Sequence, residues 1–231
     1  MVTVKKIGDR YKLSCSYLVL NKMFEHKKNY ENRGKVNDEK LMNNISRAKS
    51  TVLELALCNE WEHFITLTID ASKYDRYDLS AYYKDLGQFI RNQRRKYKTD
   101  IKYLLIPEQH KDGAWHMHGF MHGLTSDMLT ENAHGYMDWQ DYSKKFGYCS
   151  IDKIKHKEKA SSYITKYISK DFDKGIKKLN AKMYYSSRGL KKAEKIKEGL
   201  LKCNLSNPDY VGDYAAIKWF DNIDDALAYI D

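Results

Sequence analysis

At 231 residues and 42% hydrophobic, the chain can bury a full core and is not a disordered tail. No run of about 18 apolar residues occurs, which excludes a membrane-spanning helix; the four cysteines (Cys15, Cys58, Cys149, Cys203) form no Cys-x-x-Cys pair, which argues against a disulfide framework or a thiolate metal site and for reduced cytosolic thiols. The net charge of +10 suits a polyanion such as nucleic acid or simply a soluble basic protein, and the 19 tyrosines, interleaved with Lys and Arg, shift the balance toward stacking on unpaired bases.

In chain order, residues 1–20 alternate as a hairpin with a turn at Gly8-Asp9, and Met1-Val2-Thr3-Val4-Lys5-Lys6 lacks the apolar stretch of a signal peptide. Residues 21–37 are polar and read as a loop. Asp38 can cap a helix to about Cys58, with Leu41, Ile45, Ala48, Val52 and Leu55 at near-helical spacing. Phe64 to Ile69 is rich in β-branched residues and reads as a strand. Asp78 opens a second helix, roughly to Lys96. Lys102 to Pro107 is a strand, Lys111 to Ala114 a turn, and Trp115 to His122 the return strand. One or two short helices are expected over 124–145, a strand over 147–151, and a helix from Glu158 to Phe172 with Gly175 just past its end. This order predicts an α+β fold, a central antiparallel sheet with helices on one face, of ferredoxin-like or RRM-like type. The tail from Asp173 is strongly basic up to Lys197.

On a strand, residues two apart share a face, so His116 and His118 point the same way with Cα atoms about 7 Å apart. Trp115, Met117 and Met121 face the other side. Glu108 precedes them across the turn; with a loop of odd length, such as three residues, it lies opposite His118 on the same face and can be a third ligand. Two imidazoles and a carboxylate suit Mn²⁺ or Mg²⁺ with open water positions, and the ligand types also suit zinc. His110 is a competing candidate in the turn. His122 shares the face but lies about 13 Å from His118 along the strand, and no metal role is assigned to it.

Tyr163, Lys166, Tyr167 and Lys170 stand at i, i+3, i+4 and i+7 and form one helical stripe. Ile164, Ile168 and Phe172 fall on another face, which can pack on the sheet, so the tyrosines are not needed to make this helix amphipathic. The alternative is a pair of half-buried tyrosines beside solvated lysines. A tyrosine oxygen can attack a DNA phosphate to form a phosphotyrosine, a metal can polarise that phosphate, and a lysine one turn away can offset developing charge.

At these residues the chain resembles the HUH endonucleases, specifically two-tyrosine initiators of rolling-circle replication such as phage gene A and gene II proteins. Phe64 to Thr68 matches a Phe-x-Thr-Leu-Thr strand motif, His116 and His118 the His-hydrophobe-His motif, Glu108 an upstream acidic ligand, residues 163–170 the Tyr-x-x-Lys-Tyr-x-x-Lys motif, and Tyr184 to Leu190 a following segment. The resemblance implies site-specific nicking and strand transfer of single-stranded DNA at a replication origin, with a hairpin expected there. It implies a 5′-phosphotyrosine, a free 3′-OH and a divalent metal. Tyr163 with Lys166 is expected to make the first cut and Tyr167 with Lys170 to act in termination. The expected domains are an N-terminal hairpin-plus-helix extension (1–59), an HUH endonuclease domain (60–190) and a C-terminal extension (191–231). No P-loop occurs, so a host helicase would unwind and a host polymerase copy the DNA, in a bacterial cytoplasm. Alternative readings are an HUH transposase or relaxase, or a non-catalytic RRM-like nucleic-acid-binding protein, although no Gly-Phe-Gly-Phe strand is present. Phosphate contacts are expected from Arg91, Arg94, Arg95, Lys96 and Lys98 at one helix end and from Lys153, Lys155 and Lys157 before the tyrosine helix, with a solvated face as the alternative.

Overall fold

The computed structural model describes residues 1–16, 38–132, 135–170, 182–212 and 215–231, with backbone only for 38–41, 169 and 170. The loop expected at 21–37 and Gly175 lie outside the described residues, as do the side chains of Asp38, Leu41 and Lys170. The strands are β1 (Val2–Ile7), β2 (Arg10–Ser16), β3 (His63–Thr68), β4 (Lys102–Gln109), β5 (Trp115–His122), β6 (Leu129–Glu131), β7 (Met137–Trp139), β8 (Cys149–Lys153), β9 (Tyr185–Ser186), β10 (Glu194–Gly199), β11 (Tyr210–Val211) and β12 (Ala215–Phe220). The helices are α1 (Asp38–Cys58), α2 (Leu79–Tyr97), α3 (Gln140–Lys145), α4 (Lys157–Ile164), α5 (Tyr167–Lys170) and α6 (Ile223–Leu227).

The chain divides into two compact units, residues 1–35 with 191–231 and residues 36–190. The first is an antiparallel sheet in the order β10-β1-β2-β12-β11. Gly8, at φ 61, makes the tight β1–β2 turn that the Gly8-Asp9 pair predicted. Val2, Val4 and Leu13 pack with Ala226 and Ile230 from the α6 end. The hairpin and the tail, read from sequence as parts of separate extensions, thus share one sheet and one core, whereas α1 packs in the second unit.

The second unit carries a sheet in the order β6-β7-β8-β3-β5-β4-β9, with every pairing antiparallel. The run β3-α2-β4-β5-α3-β8 forms two interlocked split βαβ units, with β5 inserted between β3 and β4 and β3 between β5 and β8. On one face Ile65, Leu67, Met117 and Met121 meet Leu86, Phe89 and Ile90 of α2 and Tyr142 of α3. Asp78 caps α2 by accepting from the Ala81 N–H, 2.9 Å, as expected from the Asp before the periodic run. Helices cover the opposite face too, and this corrects the one-face expectation. There Val52 and Leu55 of α1 pack with Ile164, Tyr167 and Ile168 against Leu104, Ile106 and Phe120. An even strand alternation with apolar residues on both faces needs this second cover. The 124–145 segment adds the short strands β6 and β7 between a 3₁₀ turn and α3, where helices alone were expected.

Gly119 sits between the site strands: a Cβ there would lie 2.0 Å from the Leu104 carbonyl oxygen. Gly119→Ala should therefore cost about 1–3 kcal/mol, the scale of overpacking against backbone. Gly87→Ala, whose Cβ would meet only Arg91 at 3.6 Å, should instead raise stability by about 0.5–1 kcal/mol through helix propensity. Urea unfolding of the two variants should move the midpoint in opposite directions.

Candidate functional site

Register across β3, β5 and β4 builds the floor. Glu108 pairs with His116 and Ile106 with His118, while Thr68 pairs with His116 and Thr66 with His118. The turn is odd in length but centred on Asp112, with Gln109 opposite Trp115, so Glu108 stands opposite His116 rather than His118, which corrects the expected register. Its carboxylate nevertheless crosses diagonally: Oε2 lies 2.7 Å from His118 Nε2, with both side chains largely shielded. The Thr66 and Thr68 hydroxyls each lie 3.1 Å from a ring Nδ1, of His118 and His116 respectively. Sequence reading placed Thr66 and Thr68 in a strand and in the Phe-x-Thr-Leu-Thr motif but gave them no role at the site, although their alternation with the histidines was the available signal.

His110 stacks on His116 with centroids 3.7 Å apart and planes at 8°. Burial, then the neighbouring His110 and His118, push the His116 pKa down to about 4. Its ring is therefore neutral at pH 7, with a lone pair available. His122, which has no assigned role, is turned toward Glu62. Among the described residues, no group of three or more His, Cys, Asp or Glu side chains is gathered in a metal-holding arrangement. The expected ligands share a face but do not form a closed cage.

The helix expected from Glu158 to Phe172 is two helices, α4 and α5, broken at Thr165-Lys166. The Thr165 hydroxyl donates back to the Ser162 carbonyl, 2.8 Å, and the Lys166 N–H to the Tyr163 carbonyl, 3.0 Å, which tightens the last turn. The two tyrosines still meet. The Tyr167 hydroxyl donates to the Tyr163 oxygen at 2.9 Å, and Tyr167 stacks on His118 with centroids 4.2 Å apart. Phe64 contacts both rings, at 5.9 and 6.4 Å. Tyr163 is 48% exposed and Tyr167 only 8%. Burial first, then the hydrogen bond and charge of Tyr163 and the charge of Glu108, push the Tyr167 pKa up. Lys166 Nζ lies 5.6 Å from the Tyr163 ring centroid.

The expected phosphate-binding cations fall on two sides. Arg91, Arg94, Arg95, Lys96 and Lys98 lie at the end of α2, whose apolar side packs on the face opposite the histidines. Arg94 is committed to the Ile101 carbonyl and Lys96 to Asp141 at 2.7 Å. Arg91 and Arg95 bond Gln88 and Asn92 on their own helix, and Lys98 is its left-handed C-cap. Lys153 and Lys155 are exposed just before the tyrosine helix, and Lys157 pairs with Glu60 at 3.0 Å.

Residues 62–172, from just before β3 through the tyrosines, match the model of a replication-associated protein family, that of ORF2 and the gene II protein. The similarity to this family covers somewhat less than half of the chain. The match takes in every expected metal ligand and nucleophile and leaves outside it the unit built from the two chain ends. No curated protein and no solved structure matches the chain significantly. No helix among the described residues is long and apolar enough to cross a membrane.

The depressed His116 pKa carries a sign. The ring binds a proton less readily folded than unfolded, so its contribution to stability is full above about 6.5, the unfolded value, and lost as pH falls toward 4. Wild type should therefore lose unfolding free energy over that window more steeply than His116→Gln, measured by urea denaturation at successive pH values.

Proposed function

We propose that the replication-associated segment nicks and rejoins single-stranded DNA at a replication origin, initiating rolling-circle replication through a tyrosine nucleophile. The observation that carries this reading is the Tyr167 ring stacked on His118 while its hydroxyl donates to the exposed Tyr163 oxygen.

His116, His118 and Glu108 would hold a divalent cation, Mn²⁺ or Mg²⁺. The donor types fit, His116 is neutral, and Glu108 already touches His118. When bound, such an ion polarises a non-bridging phosphate oxygen and aligns the scissile phosphate. Tyr163 is the better first nucleophile. It is exposed, whereas burial and its neighbours raise the Tyr167 pKa and make that phenolate costly. The Tyr163 oxygen bonds to phosphorus, the P–O3′ bond breaks, the phenol proton leaves to solvent and O3′ takes one up. The DNA then carries a 5′-phosphotyrosine and a 3′-OH that primes synthesis. Lys166, beside the Tyr163 ring, offsets developing negative charge. Tyr167, with Lys170, takes the second transfer that closes the circle. Lys153, Lys155 and Lys157 supply phosphate contacts leading to Tyr163; Arg91, Arg94, Arg95, Lys96 and Lys98 would serve duplex flanking the nick. A host helicase and polymerase complete the process in a bacterial cytoplasm.

The test is circular single-stranded DNA carrying the sequence that flanks the gene, incubated with Mn²⁺ and resolved on a denaturing gel. Wild type should form a covalent adduct. Tyr163→Phe and His118→Ala should lose it by at least a hundredfold, and Tyr167→Phe should nick without releasing closed circles. An adduct that persists in the double Phe variant places the nucleophile elsewhere and ends this reading. Separately, changing Lys153, Lys155 and Lys157 to Gln should flatten the slope of log affinity against log salt by about 0.7 per lost contact on a single strand. The same slope in the triple variant would remove these lysines from the DNA path.

A further inference from the structure

Two neighbouring cross-strand rows repeat one arrangement. Thr66 faces His118 and Thr68 faces His116, and each hydroxyl lies 3.1 Å from the Nδ1 of its histidine. We infer that Thr66 and Thr68 are positioning residues for the proposed metal ligands, each hydroxyl holding Nδ1 and following the ring proton when a metal replaces it at Nε2. The inference rests on the metal reading above and extends it to β3.

The argument is one of hydrogen-bond capacity. A metal on Nε2 requires the proton of a neutral imidazole to sit on Nδ1, where it needs an acceptor. Without a metal, His118 Nε2 faces the Glu108 carboxylate at 2.7 Å, which favours the proton on that nitrogen and leaves Nδ1 needing a donor. A backbone carbonyl could satisfy only the first state and an N–H only the second. A hydroxyl satisfies both by rotating its proton. For a neutral ring the exchange balances: the proton moves from Nε2 to Nδ1 through water, none is gained or lost, and the threonine changes from donor to acceptor. A β-branched side chain on a strand has few rotamers, so the oxygen stays in place through the change. Thr66 and Thr68 belong to the strand next to the ligands, so strand register rather than loop closure fixes them.

The experiment compares wild type with Thr66→Val, which keeps shape and β-branching but removes the hydroxyl, and Thr66→Ser, which keeps the hydroxyl. Mn²⁺ affinity is measured by calorimetry, and ring ¹⁵N shifts of His118 are recorded before and after adding Zn²⁺, which is diamagnetic. Wild type should pass from the Nε2–H to the Nδ1–H tautomer on adding Zn²⁺. Thr66→Val should bind Mn²⁺ at least tenfold more weakly, the effect of losing an outer-shell partner, while keeping a cooperative thermal transition. Thr66→Ser should lie within about threefold of wild type. Val binding as well as wild type, or Ser losing as much as Val, would overturn the inference. If wild type binds neither ion, the metal reading fails on its own. The ring shifts then judge the threonine separately: one tautomer in wild type against a mixture in Thr66→Val sustains its positioning role, and identical shifts overturn it.

Discussion

The antiparallel register of β4, β5 and β3 is the constraint on which the site depends. It sets Glu108, His116 and Thr68 in one row and Ile106, His118 and Thr66 in the next. A slip of one residue on β5 would turn both imidazoles into the core around Met117 and bring Met117 to the open face. Apolar alternation resists that slip. Met117 and Met121 are fully buried on one side, and Phe120 is buried on the other beneath α1. Gly119 lets β4 approach closely enough to keep the rows aligned. The hydrophobic core thus holds the polar residues in place, since a slip would expose several large side chains at about 1.5–3 kcal/mol each.

Against that floor, two short helices do different work with similar residues. Ile164 and Ile168 anchor α4 and α5 in the core, and the break between them at Thr165-Lys166 leaves Tyr163 outward and Tyr167 inward. One phenol is therefore exposed and accepts a hydrogen bond; the other is buried and donates it. Burial first of all pushes the Tyr167 pKa up, while Tyr163 faces solvent. That asymmetry supports an order of action within the proposed pair.

The tyrosines, histidines and threonines all fall within the stretch that matches the replication-associated family, on a sheet covered on both faces. The other unit is a self-contained sheet with its own core of Val2, Val4, Leu13, Ala226 and Ile230, and none of the proposed chemistry falls there.

The sequence by itself determined β1 to β5 and β8, the long helices and the face on which each residue of β5 lies, because period and capping are local. Asp78, the Gly8-Asp9 turn and the His-x-His alternation were readable for that reason. It also identified Glu108 and the two tyrosines as candidates through their spacing. Tertiary structure alone decided the rest. The centring of the turn on Asp112 set which histidine faces Glu108, because a hairpin of odd length fixes register by where it turns. Pairing of β3 beside β5 gave Thr66 and Thr68 their histidine partners, a contact between segments some fifty positions apart. Pairing of β1 with β10 joined the two chain ends into one sheet, which no local pattern encodes. The burial that separates Tyr163 from Tyr167 was likewise invisible in a stripe that treats them as equals. It arises only when α5 settles onto His118 and the face of the sheet.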